Sequence, residues 1–353
     1  MPRARAPARA APATAAPRDA RQASTLTAQR SSRFAETVTA LRHPSIDSSL
    51  AERVAVLGRD GNALSVYRLR VAPADGPVVL FGHAGGLAAG CYVPLLERLA
   101  AAAEVYAFDA RGHGGSAAPE LGRAENTPYS PDGFAGDLAA IAGAVATRAG
   151  RPIVYVGHSL GAVSLLRLGT HHPELFAAVP WRRFVLFEPP LFPTPDIAAH
   201  AEATKKNREL TRRTLARRAR WRSPGAFADY LVARGPFAAL DRLWLDQHAR
   251  STLQPTAAGD WTLACAPEIE ATIYASFGEP STFAALTRFA LADLVHMVAG
   301  DPATGPERDW VTAVTPDAAR RLGAARFTIL SGRGHFMVQE APEDALRLIR
   351  ESF

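Results

Sequence analysis

The sequence predicts an α/β fold in which a mostly parallel sheet is flanked by helices and interrupted late in the chain by an insertion. Three observations predict it. Short apolar runs at 77–81, 105–108, 153–156, 184–187, 294–300 and 326–330 alternate with helix-like stretches, and a strand–helix alternation builds parallel strands joined by crossover helices. The run Ile153-Val154-Tyr155-Val156 meets the helix-like Ala162-Val163-Ser164-Leu165-Leu166 across only Gly157-His158-Ser159-Leu160-Gly161. The alternation then breaks down between Pro189-Pro190 and about residue 290, where polar, helix-like sequence takes over. The expected organisation is a disordered tail over 1–48, a core made of 49–190 and 291–353, and a helical cap over 191–290.

The tail is rich in Ala, Pro and Arg. Residues 1–35 hold seven arginines and one aspartate, which accounts for the whole excess of 40 basic over 34 acidic residues. It has no hydrophobic segment of the secretory kind, and its prolines oppose an amphipathic transit helix; disorder, or a start codon placed too early, is the expectation. Beyond it, Val54-Ala55-Val56 and Leu64-Ser65-Val66-Tyr67 flank Asp60-Gly61-Asn62, a hairpin signal at the antiparallel start of the sheet. Pro77–Phe81 reads as a buried strand. Residues 92–103 follow as an amphipathic helix through Val93, Leu95, Leu96 and Leu99, then Val105–Phe108 as the next strand. A helix over 131–149 opens with Ser130 as N-cap and Pro131 in its first turn and stops at Gly150.

The chemistry is expected at the carboxyl ends of these strands. Ser159 sits on a strand-to-helix elbow, a strained turn that lifts its hydroxyl clear of the sheet, and a Cβ at the flanking glycines would strike the neighbouring strand or helix. Ser159 is therefore read as a nucleophile. A serine hydroxyl needs a base within reach. Of ten histidines, His335 alone follows a late strand-like run, Arg326–Leu330, in a Gly-rich loop near the C-terminus. An oxyanion needs two amide donors: Leu160, which follows the nucleophile, supplies one, and Gly85 in the turn Gly82-His83-Ala84-Gly85-Gly86 supplies the other, with Gly86 as the neighbouring alternative. His83 is read as an orienting residue rather than a second base. Asp109 and Arg111, in the charged turn after 105–108, are read as structural, paired across a tight loop.

Together these segments resemble the α/β-hydrolase superfamily: H-A-G-G at 83–86, D-A-R-G-H-G-G-S at 109–116, G-H-S-L-G at 157–161 and G-H-F at 334–336. The resemblance covers about residues 50–353. It implies an eight-stranded sheet with the cap inserted after strand 6, and carboxylic ester hydrolysis through an acyl-enzyme on a small to medium apolar substrate. C–C bond hydrolysis, lactonase and haloperoxidase-like chemistry on the same residues, or a non-catalytic ligand-binding protein, stand as alternatives. Ala84 departs from the glycine that many members carry after the histidine. The acid departs more. The superfamily commonly places it three residues beyond a glycine after the seventh strand, and here that residue is Ala303. Asp301 is the first choice for the acid, with Asp309 and Glu188 as alternatives.

Other readings bound the function. No apolar stretch is long enough to span a bilayer, so no integral membrane segment is expected. Cys91 and Cys265 cannot build a disulfide framework or a four-ligand zinc site, which favours the cytoplasm. No sequence motif calls for a nucleotide or metal, so no cofactor is expected; the partner is a small-molecule substrate rather than nucleic acid, and the oligomeric state is open. Lys205–Arg222 carries nine basic side chains against Glu209 and is read as a solvated helix face, with attraction of an anionic substrate or surface as the alternative. Among Trp221, Phe227, Tyr230, Trp244, Trp261, Tyr274 and Phe277, some are expected to roof the site and most to form cap core.

Overall fold

A computed structural model describes residues 41–70, 75–123, 127–232, 234–301 and 310–353. Its main sheet has eight strands: β1 (Ala51–Leu57), β2 (Ala63–Leu69), β3 (Val78–Gly82), β4 (Glu104–Phe108), β5 (Ile153–His158), β6 (Trp181–Phe187), and, beyond the insertion and its short β7 (Arg220–Trp221), β8 (Leu253–Pro255) and β9 (Trp261–Leu263), the closing strands β10 (Val295–Gly300) and β11 (Arg326–Leu330). The spatial order is β1-β2-β4-β3-β5-β6-β10-β11. β2 runs antiparallel to both β1 and β4, and the pairings from β4 to β11 are parallel.

Strand composition explains the layering. Both faces of a parallel sheet are covered, so its strands are apolar throughout rather than alternating. In β3, Val78 and Leu80 enter one core layer while Val79 and Phe81 enter the other; Ile153 and Tyr155 divide from Val154 and Val156 in the same way along β5. Burying each such side chain contributes about 1.5–3 kcal/mol, and the period of two puts that gain on both faces.

Helix ends follow the caps read from sequence. After α1 (Val93–Ala100), α2 spans Pro131–Ala149; the Ser130 hydroxyl accepts from Gly133 N–H, and Gly150 closes the helix at φ 64°. α3 (Leu160–His171) starts immediately after Ser159. The β1–β2 hairpin turns through Gly61 at φ 78°.

Two boundaries differ from expectation. Residues 41–48, assigned to the tail, pack on the core: Ile46 is buried, Ser45 Oγ bonds Asp109 Oδ1 at 2.9 Å, and Arg42 bonds the carbonyls of Ser116 and Ala264. The rest of the predicted tail lies outside the described residues. The insertion is also not wholly helical. Besides α4 (His200–Leu215), α5 (Pro224–Leu231), α6 (Arg242–Thr252) and α7 (Pro267–Ser276), it contains an antiparallel sheet in the order β7-β9-β8. Those strands have only two or three residues each, too few to show an alternating pattern. Helices α8 (Trp310–Leu322) and α9 (Pro342–Arg350) complete the layers. Among the described residues, no helix is long and apolar enough to cross a membrane.

Strand order positions the site. β3 pairs with β4 on one side and β5 on the other, so the chain reverses its direction of winding there, and the crevice beyond the carboxyl ends of β3 and β5 is the natural ligand position of such sheets. Register finishes the alignment. Gly82 lies opposite Gly157, His158 opposite Phe187, and Phe187 opposite Val298. The residues one step beyond these strands therefore meet.

Candidate active site

Ser159 is the first residue beyond β5 and has φ 51° and ψ −110°, a left-handed conformation that a residue with a Cβ adopts only under constraint. The constraint is visible on both sides. A Cβ on Gly157 would come within 2.7 Å of the Ala162 backbone, and one on Gly161 within 2.4 Å of the Gly82 carbonyl oxygen. The Ser159 amide donates to Phe187 C=O at 2.9 Å, and Gly161 N–H to His83 C=O at 3.0 Å. The elbow is thereby tied to β6 and to the turn after β3.

His335 Nε2 lies 3.0 Å from Ser159 Oγ, and its Nδ1 lies 2.8 Å from Glu188 Oε2. Because a carboxylate oxygen accepts, this pairing puts the imidazole proton on Nδ1 and leaves Nε2 to accept from the serine. Glu188 is fully buried and is the first residue beyond β6, at φ 39°. Its own amide donates to Val298 C=O at 2.9 Å, and its second oxygen, Oε1, accepts from Gly300 N–H at 2.6 Å. One carboxylate oxygen is thus anchored to β10 and the other faces the His335 imidazole.

The turn after β3 has its flanking amides occupied. Ala84 N–H donates to Tyr92 Oη at 3.2 Å, and Gly86 N–H donates to His113 Nε2 at 3.1 Å. Among the described residues no acceptor is recorded for the amide of Gly85, nor for that of Leu160, which as the first helical residue has no partner within α3. Gly86, the alternative donor, is spent on His113. His83 orients the remaining one. Its Nδ1 donates to Ala84 C=O at 2.8 Å while Nε2 accepts from Ala110 N–H at 2.9 Å, and that carbonyl shares a trans peptide with Gly85 N–H, which must point the opposite way. Burial lowers the pKa of both His83 and His113, the latter to about 3, so both keep the lone pair that accepts.

A profile of the Alpha/beta hydrolase family matches residues 78–347. The chain belongs to this family. A curated relative, 2-(acetamidomethylene)succinate hydrolase from Mesorhizobium japonicum, is 36% identical over 105 residues, which are 30% of this chain and 34% of that protein, so the match spans about a third of the relative's length. The fold is similar to the crystal structure of E-2-(acetamidomethylene)succinate hydrolase (TM-score 0.66, 22% identity, 85% of this chain and 98% of that one). It is similar also to the thioesterase domain from the curacin biosynthetic pathway (TM-score 0.63, 20% identity, 85% and 99%) and to an N-formylmaleamic acid deformylase from Pseudomonas putida (TM-score 0.54, 18% identity, 84% and 99%). At these identities the structural likeness concerns the fold.

In this hydrolase the sequence-derived expectation for the acid needs correction. Asp301 Oδ2 accepts from Ser331 Oγ at 3.2 Å, whereas the carboxylate on His335 Nδ1 is that of Glu188; Asp309 lies outside the described residues. The physical reason is register: Phe187 pairs with Val298, so the residue after β6 reaches the imidazole, and Gly300 contributes an amide rather than a side chain. The expected pairing of Asp109 with Arg111 is also replaced. Asp109 accepts from Ser45 Oγ, Tyr67 Oη, Ala89 N–H and Gly115 N–H at 2.8–2.9 Å, while Arg111 forms a two-pronged pair with Asp137 at 2.7 Å and reaches Asp60 at 2.9 Å. Both remain structural in their contacts.

The insertion borders the site through α7. A Cβ on Gly85 would lie 3.9 Å from Tyr274 and from Leu160, and buried Glu270 abuts Gly86. Glu270 accepts from Tyr274 Oη at 2.7 Å and from Arg217 Nη1 at 2.5 Å. Sequence reasoning passed over Glu270, although its i, i+4 spacing to Tyr274 was available. It also treated Arg217 as one more cation of an exposed run. The run is indeed exposed or partly so, Arg217 included, but the Arg217 side chain, 41% exposed, also reaches buried Glu270.

Proposed function

We propose that this enzyme is a serine hydrolase that cleaves an acyl bond through an acyl-enzyme on Ser159. The observation that carries the reading is the continuous chain from Ser159 Oγ to His335 Nε2, and from His335 Nδ1 to Glu188. Ser159 Oγ attacks the substrate carbonyl carbon while its proton passes to His335 Nε2; the carbonyl oxygen gains charge and is held by the amides of Gly85 and Leu160, the latter at the positive end of α3. The tetrahedral adduct collapses, the bond to the leaving group breaks, and Nε2 returns the proton to the departing oxygen or nitrogen. Water then repeats the sequence on the acyl-enzyme and releases the acid. Glu188 holds the tautomer and stabilises the imidazolium.

An ester of a carboxylic acid, on a small to medium apolar substrate, is the proposed target, because the apolar edge of Tyr274 on α7 stands beside Gly85, 3.9 Å from where a Cβ would lie there. A second reading, amide hydrolysis, is favoured by the acetamido group in the relative's name. The same residues serve both.

Labelling with a fluorophosphonate, read by intact mass on wild type and Ser159→Ala, tests the serine. One label per wild-type chain and none on the variant is expected, with turnover of p-nitrophenyl acetate and butyrate falling by more than about 10⁴-fold in Ser159→Ala. A folded wild type that takes no label overturns the reading. Turnover of p-nitroacetanilide at a kcat/KM equal to or above that of the esters would move the substrate to amides.

A further inference from the structure

A buried chain of hydrogen bonds links the three loops that carry the proposed chemistry, and it runs through two residues that do not touch the reacting atoms. Tyr92 ends the short turn Ala89–Tyr92 before α1. It is fully buried, with its ring 4.7 Å from that of Phe81 and edge-on to that of His158. Its hydroxyl accepts from Ala84 N–H at 3.2 Å and lies 2.7 Å from His158 Nδ1. His158, also fully buried and one residue before the serine, places Nε2 2.8 Å from the backbone carbonyl of His335.

The proton positions follow from the partners. A carbonyl oxygen only accepts, so His158 Nε2 carries the proton; Nδ1 is then a bare lone pair, and the tyrosine hydroxyl must donate to it. The other tautomer would set two lone pairs against each other in a site without water contact, at the cost of an unsatisfied buried pair. The chain therefore has one orientation: Ala84 N–H to Tyr92 Oη–H to His158 Nδ1, and His158 Nε2–H to His335 C=O. Burial beside His335 keeps the His158 pKa well below its usual value, which preserves the Nδ1 lone pair.

We infer that Tyr92 and His158 are positioning residues for the hydrolysis, forming a strut that sets the base loop and the oxyanion turn relative to Ser159. The inference rests on the serine-hydrolase reading above. His335 sits in the loop Ser331–Phe336, which has glycines at 332 and 334 and little intrinsic stiffness. His158 N–H pins that loop at the residue that must reach the serine. At the other end, fixing Ala84 N–H settles the peptide next to the Gly85 donor. A displacement of reacting groups by about 1 Å costs about 10²-fold in rate, so a strut joining all three loops acts on kcat.

Tyr92→Phe, His158→Leu, His158→Gln and the double variant Tyr92→Phe/His158→Leu test this, with kcat and KM on p-nitrophenyl butyrate normalised to fluorophosphonate-titrated serine. Expected are a fall in kcat of about 10- to 100-fold in Tyr92→Phe and His158→Leu with KM within about threefold, and a double variant no worse than the poorer single, since both cut the same chain. His158→Gln, whose amide can still donate to His335 C=O, should recover most of the loss. A role confined to stability would lower the melting temperature and leave kcat per titrated serine unchanged, which overturns the inference. So would multiplicative losses, or a His158→Gln no better than His158→Leu. Should His158→Leu fail to fold, Tyr92→Phe and His158→Gln decide the matter. A wild type that takes no label removes the serine-hydrolase reading and the strut with it; a labelled wild type with unimpaired variants removes the strut alone.

Discussion

Asp109 and Glu188 are both fully buried carboxylates placed just beyond the ends of strands in one sheet, yet their surroundings differ in kind. Asp109 receives four donors, two amides and two hydroxyls, which saturate both oxygens and tie residues 45, 67, 89 and 115 together. Glu188 gives one oxygen to the Gly300 amide and turns the other to an imidazole that also reaches a serine. A saturated carboxylate is a structural node, because each of its donors is fixed and none has a proton to exchange in a reaction. A carboxylate with one oxygen anchored and one on a histidine is arranged to orient a base. The work a buried acid does is set by its donors.

The contrast breaks most visibly on substitution. Glu188→Gln should lower kcat by about 10³–10⁴-fold with the fold intact, because the amide no longer enforces the Nδ1–H tautomer; Asp301→Asn, measured alongside, should stay within about threefold of wild type. Strong loss in Asp301→Asn with a silent Glu188→Gln would reverse the assignment. Asp109→Asn should do the opposite of Glu188→Gln. An amide cannot accept from all four donors, so urea denaturation should show a loss of about 2–4 kcal/mol, while kcat per titrated serine changes only a few-fold.

The smallest and broadest effect concerns four buried histidines. His83, His113, His158 and His248 all have burial-lowered pKa values, about 3 for His113 and for His248. In the unfolded chain they titrate near 6.5. The unfolded state therefore binds more protons between those values, and their stabilising contribution, full above about pH 6.5, is lost as pH falls toward 3. The urea midpoint should decline steadily across that interval. A midpoint flat from pH 6.5 to 4 would mean that these side chains are hydrated and protonated in the folded state.

Much of this was legible in the chain. The elbow was readable because its demands are local: two glycines, a serine, an apolar strand before and a helix after. The hairpin, the caps of α2 and the position of His335 in the last Gly-rich loop were readable for the same reason. Glu188 stood out less. It ends an apolar run as ordinary strand-terminal residues do, and its meeting with His335, 147 residues away, depends on the register between β6 and β10. The Asp109–Arg111 pairing misled because proximity in sequence stood in for proximity in space, whereas Arg111 turns to Asp137 on α2.

The sequence by itself determined the fold class, the turn that carries Ser159 and the loop that carries His335, since each rests on period, glycine placement or capping within a few residues. Tertiary structure alone decided which carboxylate meets His335, which amide of the 83–86 turn has no acceptor among the described residues, and how Tyr92 and His158 join the loops. Those contacts join loops and turns that follow different strands, and a shift of one residue in register between β5, β6 and β10 would carry the residues beyond them out of line.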